Sequence, residues 1–160
     1  MKKITEQDKT FMREAIRLAK ENIDQGGGPF GAVIVKDGKI LAASGNSVTK
    51  DNDPTAHAEV NAIRRACRQL GTFELTGCTL YTSCEPCPMC LGAIYWAHID
   101  RIFYGCTRKD AKEADFDDDH IYCEIGKDVS ERSIPTVQLL GEEAKSTFKH
   151  WAETADKIRY

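Results

Sequence analysis

The chain has 160 residues, of which 41% are hydrophobic and 29% charged, and it carries a formal net charge of −3. This length suits one domain with an ordinary core, and the composition excludes a disordered chain. Its apolar stretches fall far short of the roughly 20 residues that span a bilayer, and no apolar secretory segment follows the N-terminus. We therefore expect a cytoplasmic protein. No run of Lys and Arg could neutralise many phosphates, which disfavours a nucleic-acid polymer as partner.

The spacing of apolar residues predicts helices and strands that alternate along one domain, residues 1–160. The predicted elements are a helix over 5–24, strands over 30–36 and 39–44, a helix over about 57–70, a strand over 78–83, a helix over 88–97, strands over 101–105 and about 135–140, and a final helix over about 142–160. Thr5 and Asp8 are placed to cap the first helix, and Asp37-Gly38 is a strong hairpin signal. A hairpin followed by alternating strands and helices predicts an α/β fold, a three-layer α/β/α sandwich around a mixed sheet.

A run of three glycines, 26–28, precedes the first predicted strand. Such a run could form a phosphate-binding loop. However, no Gly-Lys-Ser/Thr follows it, and the next element is a strand rather than a helix. The phosphate-loop interpretation is therefore disfavoured.

The chain contains seven cysteines, and three of them fall within seven residues, at positions 84, 87 and 90. In a reducing compartment such a cluster is more typical of metal binding than of disulfides. Cys87 and Cys90 lie three residues apart at the start of a helix whose first residue is Pro88, so they share one face. His57 adds an imidazole, and a mixed nitrogen and sulfur set suits Zn²⁺. Three protein ligands leave the fourth position for water.

Glu59 lies two residues after His57, so the two cannot share a face of one helix. The helix is therefore predicted to begin at about His57, with Glu59 on the apolar stripe that packs inward. Burial raises the pKa of a carboxyl group and a nearby dication lowers it, which suits a group that accepts and returns a proton. His57-x-Glu59 with Pro86-Cys87-x-x-Cys90 also forms the signature of zinc-dependent nucleobase deaminases.

Other interpretations of these residues stay open at this point. Cys84 precedes Cys87 by the same spacing, so the three cysteines and His57 could form a closed structural zinc site, with Glu59 only a polar residue at a helix start. The cysteines could also be small buried residues without metal, or could form a redox sensor.

The chain resembles the cytidine deaminase superfamily and, within it, the bacterial guanine deaminases. The segments that carry the resemblance are 28–35 (GPFGAVIV), 52–59 (NDPTAHAE), 81–96 (YTSCEPCPMCLGAIYW) and 116–118 (FDD). The resemblance implies a cytidine deaminase-like fold, one Zn²⁺ per chain and hydrolysis of guanine to xanthine and ammonia. Parts of these segments are shared with deaminases of tRNA adenosine and of cytosine, so these substrates and guanosine remain alternatives.

The resemblance also implies further site residues. The position of Asp118 matches a second proton-shuttling carboxylate, and Asn46 and Ala58 match positions that bind the base. Tyr160 matches a terminal residue that reaches the base from a partner subunit, in a homodimer whose C-terminal helix is exchanged. Asp115 stands where a glycine is expected. Without the resemblance, an acidic run is typical of a solvated loop and a terminal residue of a frayed end.

Overall fold

The computed structural model describes residues 3–160. Its elements are α1 (Glu6–Asp24), β1 (Gly31–Lys36), β2 (Lys39–Gly45), α2 (Val48–Asp51), α3 (Ala58–Leu70), β3 (Cys78–Cys84), α4 (Pro88–Trp96), β4 (Arg101–Cys106), α5 (Arg108–Glu113), α6 (Asp119–Ile125), a 3₁₀ turn (Val129–Glu131) and α7 (Gly141–Glu153). They form two compact units, one that ends at Asp118 and one from Asp119 to Tyr160. In the described chain, no helix has both the length and the apolar character to cross a membrane.

The four strands of the first unit form one mixed sheet in the order β2-β1-β3-β4. β1 is antiparallel to both β2 and β3, whereas β3 and β4 are parallel. The β1–β2 hairpin turns at Asp37 and Gly38, whose φ angles are +50° and +73°. Two positive φ angles match the twist of a tight hairpin. The mixed sheet and the hairpin predicted from the sequence are confirmed.

Alternate residues of β1 belong to two separate apolar clusters. Ala32 and Ile34 are fully buried in the cluster that includes residues of α3 and α4. Val33 and Val35 belong to the other cluster, with Phe11 of α1. Because successive side chains of a strand point to opposite faces, helices cover both faces of the sheet. The first unit is the predicted three-layer α/β/α sandwich.

The helix ends of the first unit follow their local sequence signals. Thr5 and Asp8 form a reciprocal capping box at the start of α1. Gly71, with a φ of +67°, ends α3 in the left-handed conformation that glycine adopts without strain. Asp115 also has a positive φ, +66°, which explains why a glycine would suit this turn. Aspartate is one of the few other residues that tolerate this conformation.

In the second unit the predicted strand over 135–140 is wrong, because this segment contains no regular structure. Pro135 has no backbone N–H to donate to a neighbouring strand. Residues 119–160 also contain no other strand with which the segment could pair. Val137 and Leu139 are 84% and 81% exposed, so the apolar pattern reflects side chains that this unit does not bury.

The final helix, α7, is shorter than the predicted range of 142–160 and ends at Glu153. Two side chains donate hydrogen bonds to carbonyl groups at its C-terminal end. The Thr154 hydroxyl donates to the His150 carbonyl, and the Lys157 ammonium donates to the carbonyls of Ala152 and Thr154. These contacts replace the backbone hydrogen bonds of a further turn.

Candidate active site

Two helices begin at the same place in the first unit. His57 is the N-terminal cap of α3 and Cys87 is the N-terminal cap of α4, with Pro88 as the first residue of that helix. The prediction that the helix begins at about His57 is therefore confirmed. Each helix N-terminus carries a partial positive charge, which favours thiolate and hydroxide nearby.

The side chains of His57, Cys87 and Cys90 form one group, in which all the potential ligand atoms lie within 4.8 Å of one another. Nδ1 of His57 lies 3.6 Å from the Sγ of Cys87 and 3.4 Å from the Sγ of Cys90. Tetrahedral zinc with ordinary bond lengths holds nitrogen and sulfur ligands about 3.6 Å apart. The donor types and their spacing therefore fit one zinc ion.

Hydrogen bonds within this group favour the thiolate form of Cys87. The Cys90 thiol, His57 and the Cys90 backbone N–H all donate toward Cys87, and together they hold the pKa of the Cys87 thiol well below its ordinary value. The contact with Cys87 in turn raises the pKa of His57. Because the thiolate is the form of cysteine that binds metal, the first proton of the group is easily lost.

Cys84 lies outside this group of metal ligands. Its thiol donates to the Thr107 carbonyl at 3.7 Å, and burial raises its pKa to about 11. Within residues 3–160, the group of potential ligands that includes Cys87 has three members and does not include Cys84. The geometry therefore favours three protein ligands with an open position over the closed set of three cysteines and a histidine.

Glu59 lies beside the metal-ligand group, on the inward face of α3 where its spacing placed it. Its side chain is 5% exposed, and burial raises the pKa of its carboxyl group. The Thr82 hydroxyl donates to Oε1 at 3.1 Å, and Oε2 lies 3.6 Å from the Sγ of Cys90. One carboxylate oxygen is thus fixed to the sheet, while the other faces the metal ligands.

A cavity of about 520 Å³ opens onto Glu59, His57 and Cys87. This volume is within the range of small-molecule sites. Phe30 and Phe116 line the cavity and contact each other edge to face, with ring centroids 4.9 Å apart. Aromatic side chains in such a cavity suit a flat heteroaromatic ligand.

The structure brings some of the residues implied by resemblance to this cavity. Asn46 and Asp118 both line it together with Glu59. Ala58 is fully buried at the first position of α3 and is not among the lining residues. Tyr160 belongs to the second unit, where its side chain is 74% exposed. The roles of these four residues in binding and proton transfer stay predictions.

Sequence reasoning did not identify Thr82 or Asn22 as residues of the site. Thr82 had a signal, because it is polar at an inward position of β3 that continues the buried pattern of Cys78 and Leu80. Asn22 had none, since it lies near the end of an amphipathic helix and its amide partner, Asn46, is 24 positions away in the sequence.

The chain is similar in sequence and in structure to known proteins. The family described as "Cytidine and deoxycytidylate deaminase zinc-binding region" matches residues 5–106. Guanine deaminase from Bacillus subtilis (strain 168) is 57% identical over 152 residues, which cover 94% of this chain and 97% of that protein. An X-ray structure of guanine deaminase from Bacillus subtilis, 56% identical, superposes with a TM-score of 0.93 and covers 95% of this chain and 98% of its own.

A second group of relatives matches less of the chain. The tRNA-specific adenosine deaminase from Aquifex aeolicus is 44% identical over 99 residues, which are 62% of this chain and 66% of that protein. The match over 5–106 includes His57, Glu59, Cys87 and Cys90, the residues of the metal-ligand group and its neighbouring carboxylate. With this match across more than half of its length, the chain belongs to the cytidine and deoxycytidylate deaminase family and has its zinc-binding region.

Proposed function

We propose that this protein is a zinc-dependent deaminase that converts guanine and water to xanthine and ammonia. The observation that carries the proposal is a buried carboxylate, Glu59, held beside a His/Cys/Cys group in a cavity that aromatic residues also line. The choice of guanine is supported by the similarity to guanine deaminase, which extends over nearly the whole chain.

In this proposal His57, Cys87 and Cys90 hold the zinc ion. When bound, zinc supplies the Lewis acidity that lets a water molecule lose a proton near neutral pH. Cys87 already favours the thiolate, and the N-termini of α3 and α4 stabilise negative charge at the site. These residues would hold the zinc ion beside Glu59, where the metal would supply an activated water.

Glu59 moves the proton in the reaction. Oε2, the oxygen on the side of Cys90, accepts a proton from water as the water oxygen forms a bond to C2 of guanine. The same oxygen returns the proton to ring N3. The new hydroxyl group on C2 then passes its proton to the amino nitrogen, the bond between C2 and that nitrogen breaks, and ammonia leaves as C2 becomes a carbonyl. Burial raises the pKa of Glu59, which makes the carboxylate a stronger proton acceptor and stabilises the protonated form that then returns the proton.

The remaining residues of the cavity orient the base. Phe30 and Phe116 provide aromatic surface for a planar purine, and Asn46 provides hydrogen bonds to its edge. Asp118 lines the same cavity, where it protonates the leaving amine as a second carboxylate. The backbone N–H of Ala58, at the first turn of α3, is a further donor to the base.

An ammonia-release assay on the zinc-loaded protein tests the proposal, with guanine, guanosine, cytosine, adenine and adenosine as substrates. We expect guanine to give stoichiometric ammonia and xanthine, at a rate well above the other four. A preference for cytosine or an adenine compound would replace guanine with another substrate of the family. Release from none of them by protein with full zinc content would favour a non-catalytic zinc module.

We also propose that the protein is a homodimer in which the C-terminal segments are exchanged. The second unit has no buried side chain, and it exposes large apolar residues that include Phe148, Ile158 and Tyr160 at 76%, 69% and 74%. Apolar surface of this kind marks an association site, and exchange of an identical element is a low-cost route to a symmetric dimer. In the dimer, Tyr160 of the partner subunit closes the cavity.

Complementation between two inactive variants tests this exchange. Glu59→Gln and Tyr160→Ala proteins are unfolded, mixed and refolded with zinc. In a mixed dimer with exchanged segments, one cavity carries both defects and the other carries neither, so activity returns to at most about a quarter of the unmutated level. Without exchange each cavity keeps one defect. Inactive mixed dimers, with Tyr160→Ala inactive alone, would contradict the exchange and leave the deaminase proposal intact.

We place this enzyme in the cytoplasm. All seven cysteines are free thiols in the structure. Thiols persist in reducing compartments, whereas secreted proteins tend to convert them to disulfides. Fractionation of the source cells, with activity recovered outside the soluble cytoplasmic fraction, would contradict this location.

A further inference from the structure

The side chain of Asn22, at the end of α1, contacts the loop that carries Asn46. Its Nδ2 group donates to Oδ1 of Asn46 at 2.8 Å and to the Gly28 carbonyl at 2.8 Å. The Gly28 backbone N–H donates to the same Oδ1 of Asn46 at 2.9 Å. The amide oxygen of Asn46 therefore accepts two hydrogen bonds from the protein.

These two bonds decide which end of the Asn46 amide is available to a ligand. Oδ1 is occupied by Asn22 and Gly28, while Nδ2 makes no hydrogen bond with any residue in the described part of the chain. Asn46 lines the cavity. Turning the amide over would place N–H groups against two donors, which is costly. The cavity thus meets an N–H donor rather than an acceptor at Asn46.

The glycines around these two amides leave room for them. A Cβ atom at Gly27 would lie 2.3 Å from Nδ2 of Asn22, and one at Gly45 would lie 2.6 Å from its Oδ1. A Cβ atom at Gly28 would lie 2.9 Å from Nδ2 of Asn46. The glycine run at 26–28 does not fit a phosphate loop. At positions 27 and 28 a larger residue would collide with the amides of Asn22 and Asn46, which explains glycine there.

We infer that Asn22 is a positioning residue that sets substrate choice, because it fixes the Asn46 amide with its N–H₂ group toward the base. A donor there matches a purine with an oxo group at C6 and opposes one with an amino group at C6. When the Asn46 N–H₂ group faces a 6-amino group, neither donor has an acceptor. The free energy lost in this way discriminates between otherwise similar purines. This inference rests on the proposed deamination of guanine and adds to it the group, the Asn46 amide, that forms a hydrogen bond with the substituent at C6.

Guanine and 2,6-diaminopurine are the matched substrates for the test. Both carry the 2-amino group that leaves, and they differ only at C6. We expect kcat/KM of the unmutated enzyme to favour guanine by about tenfold or more. Asn22→Asp keeps the size of the side chain but replaces its N–H donors with acceptors, which favours the opposite orientation of the Asn46 amide. The preference for guanine should then fall by about tenfold, through a lower kcat/KM for guanine.

Asn61→Asp provides a control with the same change of chemistry. The Nδ2 group of Asn61 donates to the Gly45 carbonyl, the Ser47 hydroxyl and the Ala56 carbonyl, at 3.4, 3.0 and 3.2 Å. It supports the same loop, and among the described residues its side chain makes no hydrogen bond with Asn46. Loss of loop support or added charge would lower stability and overall activity in both variants. A change in the ratio between the two substrates is expected in Asn22→Asp alone.

Gly28→Ala is a second variant with the same expected result, since its added Cβ displaces the Asn46 amide and leaves Asn22 intact. It decides the question if Asn22→Asp does not fold. Variants that fold, bind zinc and keep the guanine preference of the unmutated enzyme would overturn the role of Asn22, while guanine deamination by the unmutated enzyme would stand. An unmutated enzyme that deaminates neither purine would overturn the proposed function itself, and this inference with it.

Discussion

The two compact units of the chain bury very different amounts of apolar surface. The unit that ends at Asp118 contains every buried residue of the described chain and the whole metal-ligand group. The unit from Asp119 to Tyr160 has no buried residue, and Val137 and Phe148 are 84% and 76% exposed. A unit of this size without a core is not stabilised by burial of its own, which is the reason for the proposed exchange between subunits.

The similarity to known proteins divides the chain in nearly the same way. The family match ends at residue 106, and the tRNA-specific adenosine deaminase from Aquifex aeolicus matches 62% of the chain. Guanine deaminase from Bacillus subtilis matches 94%. The family match, which includes the metal-ligand group, lies within the first unit and indicates that the hydrolytic chemistry belongs there. We expect the residues beyond the family match to contribute to the choice of substrate.

The largest effect is expected from Glu59, because we propose that it moves the proton in the deamination of any substrate. Glu59→Gln keeps the shape of the side chain but cannot accept a proton, so turnover should fall by about 10² to 10⁴ or more while zinc stays bound. Metal analysis and steady-state kinetics measure this, with Glu74→Gln, an exposed residue, as control. Near-normal turnover in Glu59→Gln would remove this carboxylate from the mechanism.

A change in the second unit should affect binding of guanine without affecting the metal site. Tyr160→Ala removes the side chain that we propose closes the partner's cavity, and kcat/KM for guanine should fall by about 10²-fold. Zinc content should not change. Ile158→Ala removes apolar surface from the same terminus but no side chain that we propose to reach the cavity, so kcat/KM should fall much less. Equal losses in the two variants would mean that the terminus acts by general packing.

An intermediate effect is expected from Thr82, which fixes Oε1 of Glu59 to β3. Thr82→Val has almost the same volume but no hydroxyl group, so kcat should fall by about tenfold with little change in KM. Thr82→Ser restores the donor and should recover most of the activity. If the serine and valine variants are equally impaired, the methyl packing of Thr82 matters and its hydrogen bond does not.

The smallest effect concerns the stability of the first unit. The Tyr81 hydroxyl donates to Asp8 at 2.6 Å and is the main cause of the lowered pKa of that carboxyl. Because the folded pKa lies below the ordinary value of 3.8, this stabilisation is present above that pH and is lost as pH falls through the folded pKa. Tyr81→Phe should lower Tm by about 2–4 °C at pH 7, and by less in strong acid.

Thermal unfolding across pH checks this last prediction. In an Asp8→Asn background, Tyr81→Phe should show no such dependence on pH in acid. Both comparisons use proteins with the same zinc content, because acid also releases the metal. A Tm difference that stays constant down to strong acid would assign the effect of Tyr81 to packing against Phe11 and Phe103.

Local signals in the sequence predicted much of the first unit. The hairpin followed from Asp37-Gly38, and the start of α3 followed from the two-residue separation of His57 and Glu59. The His/Cys/Cys group could be predicted because zinc imposes both the residue types and their short spacing. Asn22 could not be assigned, since its role depends on hydrogen bonds to distant segments that leave no periodic pattern. Thr82 did carry a signal, a polar residue at a buried position of β3, but its partner Glu59 is 23 positions away in the sequence.

The second unit was predicted less well for a physical reason. Periodicity identifies which side chains face a core, and residues 119–160 bury none within their own unit. The apolar pattern of 135–140 therefore indicated a strand where no partner strand exists. The end of α7 depended on Lys157 and Thr154, whose contacts with backbone carbonyls do not appear in any helical pattern.

The most direct test of hydrolysis by a zinc site in the first unit is the origin of the oxygen added to the product. The zinc-loaded enzyme is given guanine in water enriched in the heavy oxygen isotope, and the xanthine is analysed by mass spectrometry. We predict one heavy oxygen atom at C2 of each xanthine formed and one ammonia released with it, and formation of both should be slower by about 10² to 10⁴ in Glu59→Gln. Unlabelled xanthine, or labelled xanthine formed at the full rate after Glu59→Gln, would contradict the account.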